Sequence, residues 1–222
     1  MKRFVPVLCL LLCTLGDAQN VTEVLGRMHQ AAPNFHGVSA DVEMITYTAI
    51  ISDKTDETGT LKMQRLKSGD VRAILDFRGQ SDARVIAFLG NIVRIYYPIA
   101  KTYQDFDVGK KTDVLNQFLL LGFGSSGKDL AGSYDITAEG SEKVAGQDTT
   151  KLLLVPKNQQ VKDRLSKIEI WIPNDASYPI QQQFYEPSGN YRIVKYANVK
   201  VNPPIKGTLD LKLPSGVKKQ GS

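Results

Sequence analysis

The sequence is poor in the residues that most often carry catalysis or bind metals. Its 222 residues include two cysteines, two histidines and one tryptophan. Cys9 and Cys13 both lie in an N-terminal apolar stretch that we expect to be removed, which would exclude disulfides, thiol catalysis and cysteine metal sites. His29 and His36 have no neighbouring cluster of carboxylates, and no G-x-S-x-G motif is present. We therefore predict no metal, no cofactor and no enzymatic activity, with a hydrolase as a remote alternative.

Long apolar runs are also missing. The only candidate, residues 4–15, is about a dozen residues long and too short for the ~20 residues of a membrane span. It follows Lys2 and Arg3 and precedes Gly16-Asp17-Ala18, a pattern typical of a signal peptide cleaved after residue 18. A buried N-terminal helix is the alternative. We expect export of the chain and a single soluble domain over residues 19–222.

The charge pattern excludes one class of partner. Without residues 1–18 the chain has 26 Lys and Arg against 22 Asp and Glu, and the two signs are interspersed. Because no block of like charge is present, we expect no nucleic-acid surface and no charged tail.

The hydrophobic period predicts one helix followed by many strands. Residues 20–32 have apolar positions at helical spacing, with Asn20 and Glu23 as a capping box and Pro33 at the end. From Phe35 onward the period is two, with a slip after Met44 that suggests a bulge. A second helix is predicted at 112–121. The remaining strands are expected near 59–65, 71–77, 83–89, 92–97, 103–108, 134–142, 149–156, 168–173, 179–185, 191–201 and 208–213.

This order predicts a mainly antiparallel β fold. Strands at intervals of roughly ten residues, with few helices between them, favour a meander over a parallel sheet. A meander of this length has exposed edges, which it can protect by curling into a barrel or by curling partly and covering the opening with the two predicted helices. Either form has a concave face, and an incompletely filled concavity is where an apolar ligand would bind.

One glycine-rich segment resembles a nucleotide-binding loop. Residues 122–129 satisfy G-x-x-x-x-G-K, but Asp129 replaces the Ser or Thr that would hold magnesium. Gly132 is expected to stop any helix before its dipole could act on a phosphate. We interpret the segment as a flexible loop and a possible hinge.

Several short motifs follow one another along the chain: Phe35-His36-Gly37, residues 59–65, Asp70-Val71-Arg72-Ala73, Ile95-Tyr96-Tyr97-Pro98, Gly189-Asn190-Tyr191, Val201-Asn202 and residues 213–217. In their order and spacing they resemble the LolA family of periplasmic outer-membrane lipoprotein carriers. One departure is Leu66, where family members often have Pro. The resemblance implies a mainly antiparallel, incomplete (half-open) β-barrel whose apolar concave face is covered by a helical lid. It also implies a periplasmic carrier that receives lipoproteins from an inner-membrane ABC exporter and delivers them to an outer-membrane receptor.

The resemblance and the strand parity together predict the site. Leu61, Met63 and Arg65 share one face of their strand, so an apolar concavity lined by the first two would also receive the guanidinium. Such a group needs partners, and we predict carbonyls at the ends of the lid helices, which would lock the lid shut. The alternative is that Arg65 extends into solvent. The other predicted lipid-binding and lid residues are Val71, Ala73, Leu75, Leu25, Met28, Phe118, Leu119 and Leu121.

A second function remains open. Related domains in envelope-stress regulators have the same fold without carrying cargo, so a lipid-sensing or regulatory interaction module of the cell envelope is the alternative.

Overall fold

The computed structural model describes residues 15–79, 82–109, 116 and 119–221, with the backbone alone for residues 15–20. The helices are α1 (Leu15–Ala31), α2 (Gly127–Ser133) and α3 (Gln159–Lys162), and short 3-10 turns span Ala32–Asn34 and Ala49–Ile51. The strands are β1 (Gly37–Thr48), β2 (Asp53–Arg65), β3 (Val71–Phe77), β4 (Arg84–Leu89), β5 (Ile92–Tyr97), β6 (Thr102–Asp107), β7 (Tyr134–Val144), β8 (Gln147–Pro156), β9 (Lys167–Pro173), β10 (Gln181–Tyr185), β11 (Tyr191–Val201) and β12 (Lys218–Lys219).

The twelve strands form one sheet in the order β12-β6-β5-β4-β3-β2-β1-β11-β10-β9-β8-β7. Every neighbouring pair is antiparallel except β12 with β6, which is parallel. The sheet curls without closing, and α1, α2 and the segment before α2 cover its concave face. The predicted fold class is confirmed: a mainly antiparallel, half-open barrel with a helical lid.

The concave face carries the core. Alternate residues of each strand point to it, and β8 and β9, near one edge of the sheet, contribute aliphatic side chains that exclude water almost completely, among them Leu152, Ile168 and Ile170 at 0% exposure. Full burial of such a side chain stabilises the fold by about 1.5–3 kcal/mol relative to exposure. Val24 and Met28 of α1 belong to the same cluster, so the apolar stripe of the helix packs on the sheet as its spacing predicts.

Three local predictions in the N-terminal half are wrong. Helix α1 begins at Leu15, so Asn20 lies inside the helix and cannot cap it. Strand β1 pairs with β2 without interruption from Gly37 to Thr48, and the register shift lies between Ser39 and Asp41 on the β11 side, not after Met44. Strand β2 begins six residues before Gly59, because polar residues extend the β1–β2 hairpin beyond the apolar pattern.

The C-terminal prediction also fails. Residues 208–213 form no strand, and this segment instead crosses the convex face of the sheet, where Gln64 exchanges hydrogen bonds with the backbone of Gly207 and Leu209 at 2.9 and 2.7 Å. Pro203 and Pro204 precede this segment, and proline removes the donors that strand pairing needs. The predicted helix at 112–121 lies mostly outside the described residues, and residues 1–14 of the predicted signal peptide lie wholly outside them.

Candidate functional site

The lid over the concave face consists of α1, α2 and a connecting segment at residues 120–125, which we call the lid loop. The lid loop is folded on itself: the amide of Phe123 donates to the Leu120 carbonyl at 2.8 Å, and the Ser125 hydroxyl donates to the same oxygen at 2.5 Å. Leu121 and Phe123 are 1% and 2% exposed, so the lid loop inserts into the core.

Arg65 joins the two parts of the lid. It is the last residue of β2, and its guanidinium donates to the Ala32 carbonyl at 3.1 Å and to the Gly124 carbonyl at 2.5 Å. The first acceptor lies just after α1 and the second in the lid loop. The guanidinium also lies 5.3 Å from the centre of the Phe35 ring. These are the carbonyl partners that the parity argument predicts.

Arg65 is half-buried, and its surroundings affect the pKa of its guanidinium group. Burial lowers the pKa of Arg65, while the nearby carboxylate of Asp129 acts in the opposite direction. Arginine nevertheless remains cationic at neutral pH, so both hydrogen bonds are charge-assisted.

A second polar contact holds the lid loop from below. Gln182 of β10 is 3% exposed, and its amide nitrogen donates to the Leu121 carbonyl at 2.8 Å. Its amide oxygen accepts from the Tyr196 hydroxyl at 2.6 Å. Burial raises the pKa of Tyr196, so that hydroxyl stays a donor. The ring of Tyr196 also meets Phe123 edge to face, with centroids 4.9 Å apart.

The glycines of the lid loop serve close packing. Gly122 and Gly124 have φ of +79° and +78°, which L side chains rarely adopt. A Cβ at Gly124 would overlap the Phe35 ring, and one at Gly127 would overlap the Leu25 carbonyl. The segment that resembles a phosphate loop is thus a tightly packed turn in the closed lid.

The start of α2 also differs from the prediction. Ser126 caps the helix by accepting from the Asp129 amide at 3.1 Å, and the helix continues through Gly132 to Ser133. Gly132 therefore does not stop it. The hydrogen bond that begins α2 therefore joins two groups of the protein, the Asp129 amide and the Ser126 hydroxyl.

The lid leaves part of the concave face open. A cavity of about 820 Å³ lies on this open part of the face, near the end of β1 and the start of β2, where a short turn connects the two strands. Its apolar wall consists of Met44, Leu75, Phe77, Ile86 and Phe88. The volume lies within the 300–1,000 Å³ typical of ligand pockets.

Charged side chains surround the mouth of this cavity. Arg84 forms a two-pronged ion pair with Glu57, with one nitrogen–oxygen distance of 2.8 Å, and its guanidinium lies 4.8 Å from the centre of the Phe77 ring. The hydrogen bond to Glu57 raises the pKa of Arg84. Asp82 and Arg192 lie on the same rim. The mouth is polar while the wall behind it is apolar.

The predicted site residues divide into two groups. Leu75 lines the open cavity. Apart from Arg65, the others that the structure describes pack in or against the closed core: Leu25, Met28, Leu119 and Leu121 from the lid side, and Leu61, Met63, Val71 and Ala73 from the sheet beneath it. Phe118 lies outside the described residues. Ile86 and Phe88 were not predicted, because the sequence does not show which face of β4 turns inward. Met44 and Phe77 were not predicted either, although each shares the inward parity of its own strand.

A second depression, of about 860 Å³, is less suited to an apolar ligand. It includes the convex side of β1, β2 and β11 and the tip of the β7–β8 hairpin. Both depressions have charged side chains in their lining, but this one has no wall of large aliphatic and aromatic side chains like that of Met44, Leu75, Phe77, Ile86 and Phe88. Three acidic and three basic side chains contribute to its lining: Asp41, Glu43, Glu142, Arg78, Lys143 and Lys195. We therefore take the cavity on the concave face as the candidate binding site.

The described part of the chain shows two further absences. None of its helices is both long and apolar enough to span a bilayer. Within the same residues, no three His, Cys, Asp or Glu side chains gather in a way that could hold a metal ion.

Comparison with solved structures identifies the fold. An uncharacterized conserved protein from Thermus thermophilus matches with a TM-score of 0.53 and 13% identity, covering 91% of this chain and 99% of that one. LprF from Mycobacterium bovis matches with a TM-score of 0.50 and 13% identity over 90% and 99%. MucB matches with a TM-score of 0.50 and 14% identity over 85% of this chain and 61% of its own.

These structural matches define the class of fold to which the chain belongs. The chain has the LolA-like fold, as the sequence motifs predict. No protein-family model matches the sequence, and no curated protein matches it either. At identities of 13–14% the structural matches show the fold alone.

Proposed function

We propose that this protein is a periplasmic carrier that binds the acyl chains of lipoproteins in the groove of its concave face. The observation that carries the proposal is the cavity of about 820 Å³ with its wall of Met44, Leu75, Phe77, Ile86 and Phe88. Each methylene withdrawn from water contributes ~0.8 kcal/mol, so a diacylated protein needs a host of this kind to cross an aqueous compartment. No bond has to be made or broken, and the role is that of a carrier and not of an enzyme.

The lid provides the means of release. In the closed state the inner part of the groove is occupied by the lid loop, with Leu121 and Phe123 in the core. Acyl chains that extend beyond the open cavity must displace this segment and break the hydrogen bonds of Arg65 to Ala32 and Gly124. Reformation of these bonds favours expulsion of the cargo, which makes binding reversible.

The route of transport follows from the family resemblance. We infer that the carrier receives cargo from an inner-membrane ABC exporter and delivers it to an outer-membrane receptor, after removal of residues 1–18. Reformation of the lid hydrogen bonds favours release once an acceptor competes for the acyl chains.

The cavity wall gives a direct test. Replacing Phe88 by Asp places a charge in the apolar wall and should reduce binding of a diacylated lipopeptide at least about tenfold, because burial of an unpaired carboxylate is unfavourable. Phe106→Asp is the matched control, since Phe106 is 48% exposed and lies outside the cavity lining. Binding is measured by native mass spectrometry and by displacement of a fluorescent fatty acid. Equal binding by wild-type protein and Phe88→Asp would contradict the proposed site.

A regulatory module is the second candidate, and the fold shared with MucB is the observation that keeps it open. Affinity purification from cell envelopes separates the two. Recovery of lipoproteins supports the carrier, whereas recovery of a signalling protein without lipoproteins supports the regulator.

A further inference from the structure

The tip of the β1–β2 hairpin is the most exposed apolar feature in the described chain. Ile50 is 92% exposed and Ile51 is 66% exposed. Both lie in the short 3-10 turn that connects the strands. Single exposed apolar side chains are common on protein surfaces, but these two are adjacent, and withdrawing both from water would be favourable.

The tip is held in place by the rest of the fold. The Ala49 amide donates to the side-chain oxygen of Asn190 at 2.9 Å. Tyr47 stacks on Tyr191 with ring centroids 4.8 Å apart. Ser52 adopts the left-handed conformation, with φ of +51°, and closes the turn. The isoleucines are therefore presented by an ordered turn, and little conformational entropy is lost when they are buried.

The hairpin lies at the end of the sheet where the cavity opens. On the β3 side, Gly59 of β2 pairs with Phe77, the last residue of β3, so residues 53–58 form an overhang of about 20 Å at ~3.3 Å per residue. On the other side β1 stays paired with β11 as far as Tyr47, and only residues 48–52 lie beyond that pair. Thr46 and Thr55 are paired in the overhang and also line the cavity. The tip lies about 10 Å beyond them at the same rise per residue.

We propose that this hairpin tip inserts Ile50 and Ile51 into the surface layer of a lipid bilayer and thereby places the mouth of the cavity against the membrane. The tip is apolar, while Thr48, Asp53 and Lys54 beside it are polar, which matches the boundary between acyl chains and headgroups. A protein–protein interface normally buries about 800 Å² per partner, far more than a turn of three residues offers, whereas a bilayer needs no matching shape. The inference builds on the proposed carrier function, since acyl chains enter and leave from membranes.

Vesicle flotation tests the inference with the purified full chain. We expect wild-type protein to float with large unilamellar vesicles of phosphatidylethanolamine and phosphatidylglycerol in a roughly 3:1 ratio. Ile50→Asn/Ile51→Asn should lower the partition coefficient at least about tenfold, because the insertion of two aliphatic side chains is lost. Val201→Asn is the control: Val201 is 43% exposed and pairs with Val38, at the opposite end of β1. It should float like wild type.

A tryptophan at the tip reports insertion directly. Trp171 is 4% exposed and supplies a constant background. In the variant Ile50→Trp, the fluorescence emission of residue 50 should shift to the blue on addition of vesicles. Lipids with brominated acyl chains should quench this emission. Absence of wild-type flotation, equal flotation of the double variant, or absence of quenching would each overturn the inference.

A parallel measurement separates this inference from the carrier function. Uptake of a detergent-solubilised lipopeptide should be unchanged in Ile50→Asn/Ile51→Asn. Suppose that vesicle binding depends on the tip, but that neither the wild-type protein nor the double variant takes up lipopeptide. The membrane-docking inference then stands and the carrier proposal fails. If the double variant floats normally but fails to transfer cargo to a protein acceptor, the tip serves a protein, and membrane insertion is refuted.

Discussion

Arg65→Leu is expected to separate cargo binding from cargo release. The substitution removes hydrogen bonds to the carbonyls of Ala32 and Gly124, at 3.1 and 2.5 Å. Hydrogen bonds from a charged donor contribute about 1.5–3 kcal/mol each. Since Arg65 is only half-buried and Leu recovers some packing, we expect a net loss of about 2–3 kcal/mol from the closed state. At 1.4 kcal/mol per factor of ten, the closed-to-open ratio should fall about 30- to 150-fold.

Two measurements follow from this shift. Hydrogen exchange at the amides of the lid loop should become faster in Arg65→Leu without cargo. Transfer of a bound lipopeptide to acceptor vesicles should become slower, because the closed state no longer competes with the cargo. Binding itself should be retained or strengthened, since the groove is easier to open.

Arg72→Leu is the matched control. Arg72 lies on the neighbouring strand and also approaches a backbone carbonyl, that of Leu209 at 3.5 Å, but on the opposite face of the sheet. It should leave lid exchange and transfer unchanged. Wild-type exchange of the lid loop together with wild-type transfer in Arg65→Leu would refute the locking role and leave the cavity proposal intact.

Two predictions concern stability. Gly124→Ala should lower the free energy of unfolding by about 2–3 kcal/mol in urea denaturation, because φ is +78° and the new methyl group overlaps the Phe35 ring, whereas Gly132→Ala, with open space around it, should be neutral or slightly stabilising. The hydrogen bonds from Arg94 lower the pKa of Asp105, so the stabilisation by this pair is present above the unfolded-state pKa of about 3.9 and disappears as the pH falls through the lower folded-state value. Asp105→Asn should therefore destabilise by about 1–2 kcal/mol at pH 7 and by progressively less below pH 4 in thermal unfolding, and a constant difference across this range would contradict the assignment.

The class of fold can be predicted from the order of the residues alone. Alternation with a period of two and turns at short intervals specify antiparallel strands, since a strand exposes alternate side chains to opposite faces. The same parity placed Leu61, Met63 and Arg65 on one face, and the hydrogen bonds of Arg65 agree with that placement. The apolar stripe of α1 likewise indicated a helix packed on the sheet.

Which apolar residues are accessible to a ligand depends on how the chain packs in three dimensions. Met63 and Val71 are 1% exposed under the lid, whereas Phe88 and Ile86 line the open cavity, although all four have similar hydrophobicity. The difference depends on strand register, on the curl of the sheet and on where the lid loop inserts, and each of these joins residues far apart in the chain. The hydrogen bond from Gln182 to Leu121 joins residues that are 61 positions apart in the sequence, and local periodicity could not predict it either. Local periodicity determines which face of an element is apolar, and long-range packing determines what covers that face.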